Sequence, residues 1–340
     1  MNLTKAHNEL FRRTPDEAFP TLQSLWEHCH RQKTQSMDRW IAPREVSARV
    51  WEDMLTMTLG TDGAFLMNDW SFTQLCRSAD VTKDTVNRLT PKTASLVLEE
   101  TLPRGTKPFQ VFTEDKRVRS LHGSTYTRLF NADLIMMLRE FATDFQPPQN
   151  AMNGGTGLYA GEQDMFCFLI DPMGWVEIGE EAYAPGFFVW NSEVGRRSLG
   201  IQTFWFQAVC QNHIVWDAID VCEFSTKHTS KIQDGLTTIR SMIDAIVRKR
   251  DQRKEGFAAL IRKAMEATLG ADAEEAFKNV CKNGISRSAA QEAIHIAQEK
   301  GRLTVWSVVD ALTRLTQRSE YIGDRAEADA KAASLLSLVA

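Results

Sequence analysis

Cys210, His213, Cys222 and His228 place four zinc-competent side chains within nineteen residues. Tetrahedral zinc takes such sulfur and nitrogen donors, usually as close pairs on a tight turn. Cys210 closes an apolar, strand-forming run, however, and neither Gly nor Pro builds a knuckle between it and His213. Independent placement by packing and hydrogen bonding accounts for the four residues better. A Cys210/His228 nucleophile and base pair is weaker again, since nothing around the thiol signals a depressed pKa or an oxyanion hole. Asp144, Asp164, Asp171 and Glu177 flank strand-like runs without a metal-binding or phosphoryl-transfer spacing. No catalytic residue and no cofactor is therefore assigned. A zinc-dependent enzyme on the four donors stands as a third reading.

A second chemistry is distributed along the chain. Residues 158–224 hold 13 of its 31 Phe, Trp and Tyr side chains. Neighbours in a strand point to opposite faces, so Phe187/Phe188 and Phe204/Trp205/Phe206 cannot all face one interior. Some must lie on a second face, covered by a helix, a subunit, a loop or a base. Residues 225–263 follow with ten Lys and Arg against four acids. Aromatic platforms beside positive charge suit binding of single strands without base readout, because every base can stack and every nucleotide carries a phosphate. The expected nucleic-acid-binding set is Lys227, His228, Lys231, Arg240, Arg248, Lys249 and Arg250, with exposed members of Phe187, Trp190, Phe204 and Trp205 as stacking platforms. A solvated helix face beside an ordinary core is the plainer alternative.

The elements that must position these groups follow from periodicity. Thr14-Pro15-Asp16-Glu17 has the pattern of a capping box and predicts a helix to about Arg31. Residues 71–100 read as helical, and Phe109–Thr113 with Arg117–Leu121 as paired strands around a charged turn. Asn131 opens an apolar helix to Phe145. Aromatic and β-branched runs at 165–170, 186–190 and 198–210 predict a mostly antiparallel sheet. Ile232, Leu236, Ile239, Ile243 and Ile246 then step by four and three along one helix, with shorter helices near 271–282, 286–299, 304–318 and 324–339. The expected class is α+β: a helical segment over 1–105, a sheet body over 106–230 and a helical segment over 231–340.

Two motifs inside these elements have plain readings. Residues 74–89 have the cadence of a helix-turn-helix that would offer Lys83, Asn87 and Arg88 to DNA. Asp80 stands where a glycine usually makes the reversal, so an ordinary packed helix pair is expected. Asn153 to Gly161 contains Gly-x-Gly-x-x-Ala, but it follows a Pro/Gln/Asn loop and opens a strand, which fits a turn and not a dinucleotide site.

Composition bounds the rest. Forty Lys and Arg against forty-four Asp and Glu give a net charge of −4, which excludes a uniformly basic coat but not a local basic face. Six scattered cysteines in 340 residues suggest reduced thiols and a cytoplasmic setting. Neither an apolar leader nor an eighteen-residue apolar run is present, so no membrane partner is expected.

Asn191-Ser192-Glu193-Val194-Gly195 and Val209-Cys210-Gln211-Asn212-His213-Ile214-Val215-Trp216 resemble an uncharacterised family of phages, plasmids and integrated elements, the phage/plasmid-like proteins or domain of unknown function 932. Leu121-His122-Gly123-Ser124-Thr125-Tyr126, Gly157-Leu158-Tyr159, Lys227-His228-Thr229 and Thr304-Val305-Trp306 extend the likeness along nearly the whole chain. Gln211 and Asp217 replace glycines of the pattern, and Lys227 an arginine. The resemblance implies no reaction, only a mobile-element context. Together these readings predict a single-stranded DNA-binding protein of recombination or strand annealing, acting non-covalently as a homo-oligomer. A protein-binding or regulatory module of the element is the alternative.

Overall fold

The structure, a computed structural model, describes residues 9–148, 157–179, 181–207, 213–216, 223–299 and 301–339. It is α+β, with two sheets where one was expected. The smaller sheet joins β2 (Ser36–Ile41), β3 (Val46–Trp51), β4 (Met54–Leu59), β5 (Ala64–Met67), β6 (Phe109–Glu114) and β7 (Arg117–His122) in the order β2-β6-β7-β5-β4-β3. All its pairings are antiparallel except β5 with β7. Val46 and Ala48, then Leu55, Met57 and Leu59, alternate into one core with Phe72 and Leu75 of α2 (Asp69–Ser78) and Ala94 and Leu98 of α4 (Pro91–Thr101). This corrects the helical reading of residues 1–105. Period-two burial sets 36–67 as strands, and the sheet crosses the boundary drawn at 105.

The helix-turn-helix cadence resolves into packing. Asp80 itself takes the left-handed turn, at φ 54°, and α3 (Lys83–Val86) is a single turn. Lys83 is paired with Asp69, and buried Asn87 is hydrogen-bonded to the Phe11 backbone.

The larger sheet runs β1-β8-β9-β11-β12-β13 with β10 beside β11 and β14 beside β12. Its strands are β1 (Glu17–Ala18), β8 (Leu158–Ala160), β9 (Met165–Ile170), β10 (Val176–Ile178), β11 (Glu181–Asn191), β12 (Leu199–Gln207), β13 (His213–Trp216) and β14 (Glu223–Thr226). One face, with Leu169, Phe187, Val189 and Ile201, packs on α1 (Leu22–Thr34), α5 (Asn131–Phe141) and the isoleucine stripe of α6 (Ile232–Arg248). The other, with Phe166, Phe168, Phe188, Phe204 and Phe206, lies under Ile322, Ala326 and Ala333 of α11 (Ile322–Ala333). A third core gathers Tyr183 and Trp205 with Phe257 of α7 (Arg250–Glu266), α8 (Ala273–Lys282), α9 (Arg287–Glu299) and Trp306 of α10 (Val305–Thr316). Sheet and C-terminal helices therefore share cores across the boundary drawn at 230.

The first helix starts seven residues later than its capping-box pattern predicts. Thr21 caps it: its hydroxyl accepts from the Ser24 N–H at 3.0 Å, and the Ser24 hydroxyl accepts from the Thr21 N–H at 3.2 Å. Asp16 has another task. Its carboxylate accepts the Ile322 N–H at 3.1 Å and so caps α11, 306 residues away. No helix among the described residues is long and apolar enough to cross a membrane.

Candidate nucleic-acid interface

The sheets meet at the segment that follows β11. Gly195 N–H closes a turn on the Ser192 carbonyl at 3.0 Å, and the Arg196 N–H is held by the Ser192 hydroxyl at 2.8 Å. Glu193 between them is almost wholly buried. Its carboxylate accepts from the Asn131 N–H at 2.6 Å, at the start of α5, and from Arg119 of β7 at 3.1 Å. Its carbonyl accepts from the Tyr126 hydroxyl at 2.9 Å and from Arg128. Arg128 in turn lies 3.5 Å over the Phe112 ring and pairs with Asp38 of β2 at 2.6 Å. Every charge in this buried set is matched, as low-dielectric burial requires.

Outward from this clamp opens a cleft of about 430 Å³, lined by His122, Tyr126, Gly195, Arg196, Lys227 and His228 among others. Tyr126 stacks with His122 at 3.8 Å between ring centres and with His228 at 5.3 Å. Three cations, Arg196, Arg197 and Lys227, line the cleft, and its described lining contains no carboxylate. Arg197 is engaged by Asp164 and Glu327. Arg196 and Lys227 are exposed and form no ion pair among the described residues.

A second groove, of about 360 Å³, shares Arg196, Arg197 and Ser198 as its wall and continues past Phe166, Phe188 and Trp190 to α11. Trp190 lies flat here because residue 200 opposite it is glycine; a Cβ there would sit 2.1 Å from the indole. Its ring stacks on Phe188 at 4.8 Å and is only partly covered. Glu223 and Glu327 line this groove too, so phosphate charge fits the cleft and an aromatic base the groove.

The residues expected to bind nucleic acid are thus only partly brought together. Lys227 and His228 line the cleft and Trp190 the groove. Phe187, Phe204 and Trp205 are fully enclosed and cannot stack on a base, which corrects that expectation. The second sheet face is covered by the chain's own helices, and Trp205 stacks 4.0 Å from Phe257 of α7. Lys231 stands exposed at the start of α6, and Arg248 and Lys249 at its end. Arg240 covers the Phe141 ring at 3.5 Å, and Arg250 is paired with Asp171. These five do not line the cleft, because α6 and its junction with α7 spread them over about five turns of helix. Cys210 and Cys222 lie outside the described residues, and only the backbone of His213 is described, in β13. Among the described residues, no group of three His, Cys, Asp or Glu could hold a metal.

Sequence reasoning passed over Arg196 and Arg197. The signal was at hand: two arginines directly after Asn191–Gly195, where a turn must aim them.

Burial pushes both His122 and His228 down to about 4, with the Arg128 charge acting in the same direction. Both rings are neutral at pH 7 in the folded chain. The unfolded chain takes up the extra protons first, below its ordinary 6.5, so their contribution to stability is complete above pH 6.5 and is lost as pH falls toward 4. Glu162 and Asp329, raised to about 7 chiefly by burial, act oppositely across much of that range. The imidazole effect is therefore read ring by ring. Nitrogen NMR is expected to show both rings uncharged at pH 6, and a midpoint near 6.5 for either would contradict the burial of that ring.

A family model described as Domain of unknown function (DUF932) matches residues 120–337. The match takes in the Arg128–Glu193 clamp, both histidines and the shared arginine wall, but not β2 to β6. No curated protein and no solved structure matches the chain. With well over half its length covered, the chain belongs to the DUF932 family.

Proposed function

We propose that this protein binds single-stranded nucleic acid without base readout, phosphates entering the cleft of Arg196, Lys227 and His228 and a base stacking on Trp190 in the adjoining groove. One observation carries the reading: a cationic cleft with no carboxylate among its described lining residues and a half-open aromatic groove share the wall Arg196-Arg197-Ser198. Cations supply affinity through counterion release, and a ring accepts any base. The family context implied by the sequence, phages and plasmids, suits such a protein in recombination or strand annealing.

The test uses a fluorescent oligothymidylate across a salt series. Affinity is expected to fall steeply with salt, and Lys227→Ala to flatten the logarithmic slope by about 0.7, the single-strand value per phosphate contact. Trp190→Ala is expected to weaken binding about tenfold, with the slope unchanged, since stacking is worth about 1–3 kcal/mol per base. Binding indifferent to salt and to both substitutions would remove the reading.

A protein-binding role is favoured by a different feature. Val50, Trp51 and Met54 are exposed together at the β3–β4 turn, an apolar tip of the kind that partner proteins cover. Strong oligonucleotide binding unaffected by Trp51→Ala separates the two roles.

A further inference from the structure

We propose that the cleft of Arg196, Lys227 and His228 is a phosphate site in which the His228 imidazole is a direct donor, and that phosphate binding is coupled to the uptake of one proton from solvent. This deepens the proposed nucleic-acid reading and rests on it for the source of the phosphate.

His228 is the unusual group. The residue is only 7% exposed and lines the cleft, yet among the described residues neither ring nitrogen meets a well-placed hydrogen-bond partner. A buried orphan of this kind costs free energy unless something outside the chain satisfies it. The Thr127 and Arg197 backbones approach the ring and pull its proton affinity upward, but neither is placed well enough to satisfy a nitrogen. Everything charged around it is positive or already paired. Arg128 faces it from the segment before α5 and is held by Asp38; Lys227 precedes it on the chain; Arg196 and Arg197 line the same cleft; His122 and Tyr126 complete the ring stack. A metal ion or a second cation finds no counterpart here. An anion with several acceptor oxygens does, because it can bond to the two free cations and the imidazole at once.

The proton follows from the same surroundings. Within the chain itself, burial and the Arg128 charge hold the ring neutral. An anion beside it reverses the balance, since an opposite charge in contact favours the charged form. No bond to phosphorus is made or broken; a solvent hydronium gives up one proton, which forms an N–H bond on the ring and stays there while phosphate is bound.

Oligothymidylate without terminal phosphate is the discriminating probe. Its diesters keep one negative charge each, and thymine takes no proton between pH 5 and 8. Any pH dependence therefore belongs to the protein. If bound phosphate restores the ring fully to its ordinary 6.5, affinity at constant salt rises roughly tenfold from pH 7.5 to 5.5. His228→Gln is expected to abolish that rise. Lys227→Ala, at an exposed position that leaves folding intact, is expected to weaken binding about tenfold at every pH and keep the rise. A second arm adds inorganic phosphate, against chloride at equal ionic strength, and follows the imidazole nitrogens of His228 by NMR. They are expected to move toward the charged form.

The two arms separate the proposals. Oligonucleotide binding that is flat with pH, with imidazole signals unmoved by phosphate, overturns the phosphate site and leaves the groove reading standing. Imidazole signals that respond to phosphate while no oligonucleotide binds support the site and overturn the groove. If His228→Gln does not fold, the wild-type NMR titration and the Lys227→Ala pH series decide alone.

Discussion

Glu193→Ala is expected to lower the unfolding free energy by about 3–5 kcal/mol, the cost of leaving one partner of a buried ion pair alone. Arg119, 4% exposed, would keep, among the described residues, only the Glu114 carboxylate at 3.5 Å, and the first N–H of α5 would lose its acceptor. That is a large share of the roughly 5–15 kcal/mol that holds most domains folded. Glu193→Gln keeps one acceptor oxygen and is expected to cost clearly less. Chemical denaturation followed by circular dichroism measures both. A loss below about 1 kcal/mol for the alanine variant would show that the two sheets are not joined through this carboxylate.

Gly195→Ala comes next in size, at about 2–4 kcal/mol, from two sources that add. Residue 195 sits at φ 70°, where a side chain is strained by about 1 kcal/mol. The added Cβ would also stand 2.5 Å from His122 and 3.0 Å from Tyr126, and such overpacking costs typically 1–3 kcal/mol. The shift must go through the stacked rings, so the variant is expected to lose oligonucleotide affinity as well as stability. Thermal unfolding and the salt-series binding assay read the two effects separately. A variant as stable as the parent would mean that the ring stack yields freely.

Much of the fold was legible where one period dominates. The isoleucine stripe of α6 and the paired strands β6 and β7 fall where the sequence predicts. Strands β3 and β4 were legible in principle, since Val46/Ala48 and Leu55/Met57/Leu59 alternate without a break. Their exposed Trp51 and Met54 blur the pattern at the turn. The misplaced start of α1 has a different cause: Asp16 matches a local cap, but a partner 306 residues away takes its carboxylate. For the site, Lys227, His228 and Trp190 were legible as types of residue. The enclosure of Phe187, Phe204 and Trp205 was not, because their cover comes from α5, α6, α7 and α11, which lie elsewhere in the sequence. Period two shows that a second face exists; it does not show what lies on it.

The closure of the larger sheet by α11 sets a timetable for synthesis. Phe166, Phe168, Phe188 and Phe206 emerge well before the helix that shields them, and that helix needs Asp16, made near the very start, to finish its first turn. A nascent chain must therefore carry an uncovered aromatic surface for more than a hundred residues of translation. Long-range closure of this kind makes folding slow and gives chaperones a window in which to act.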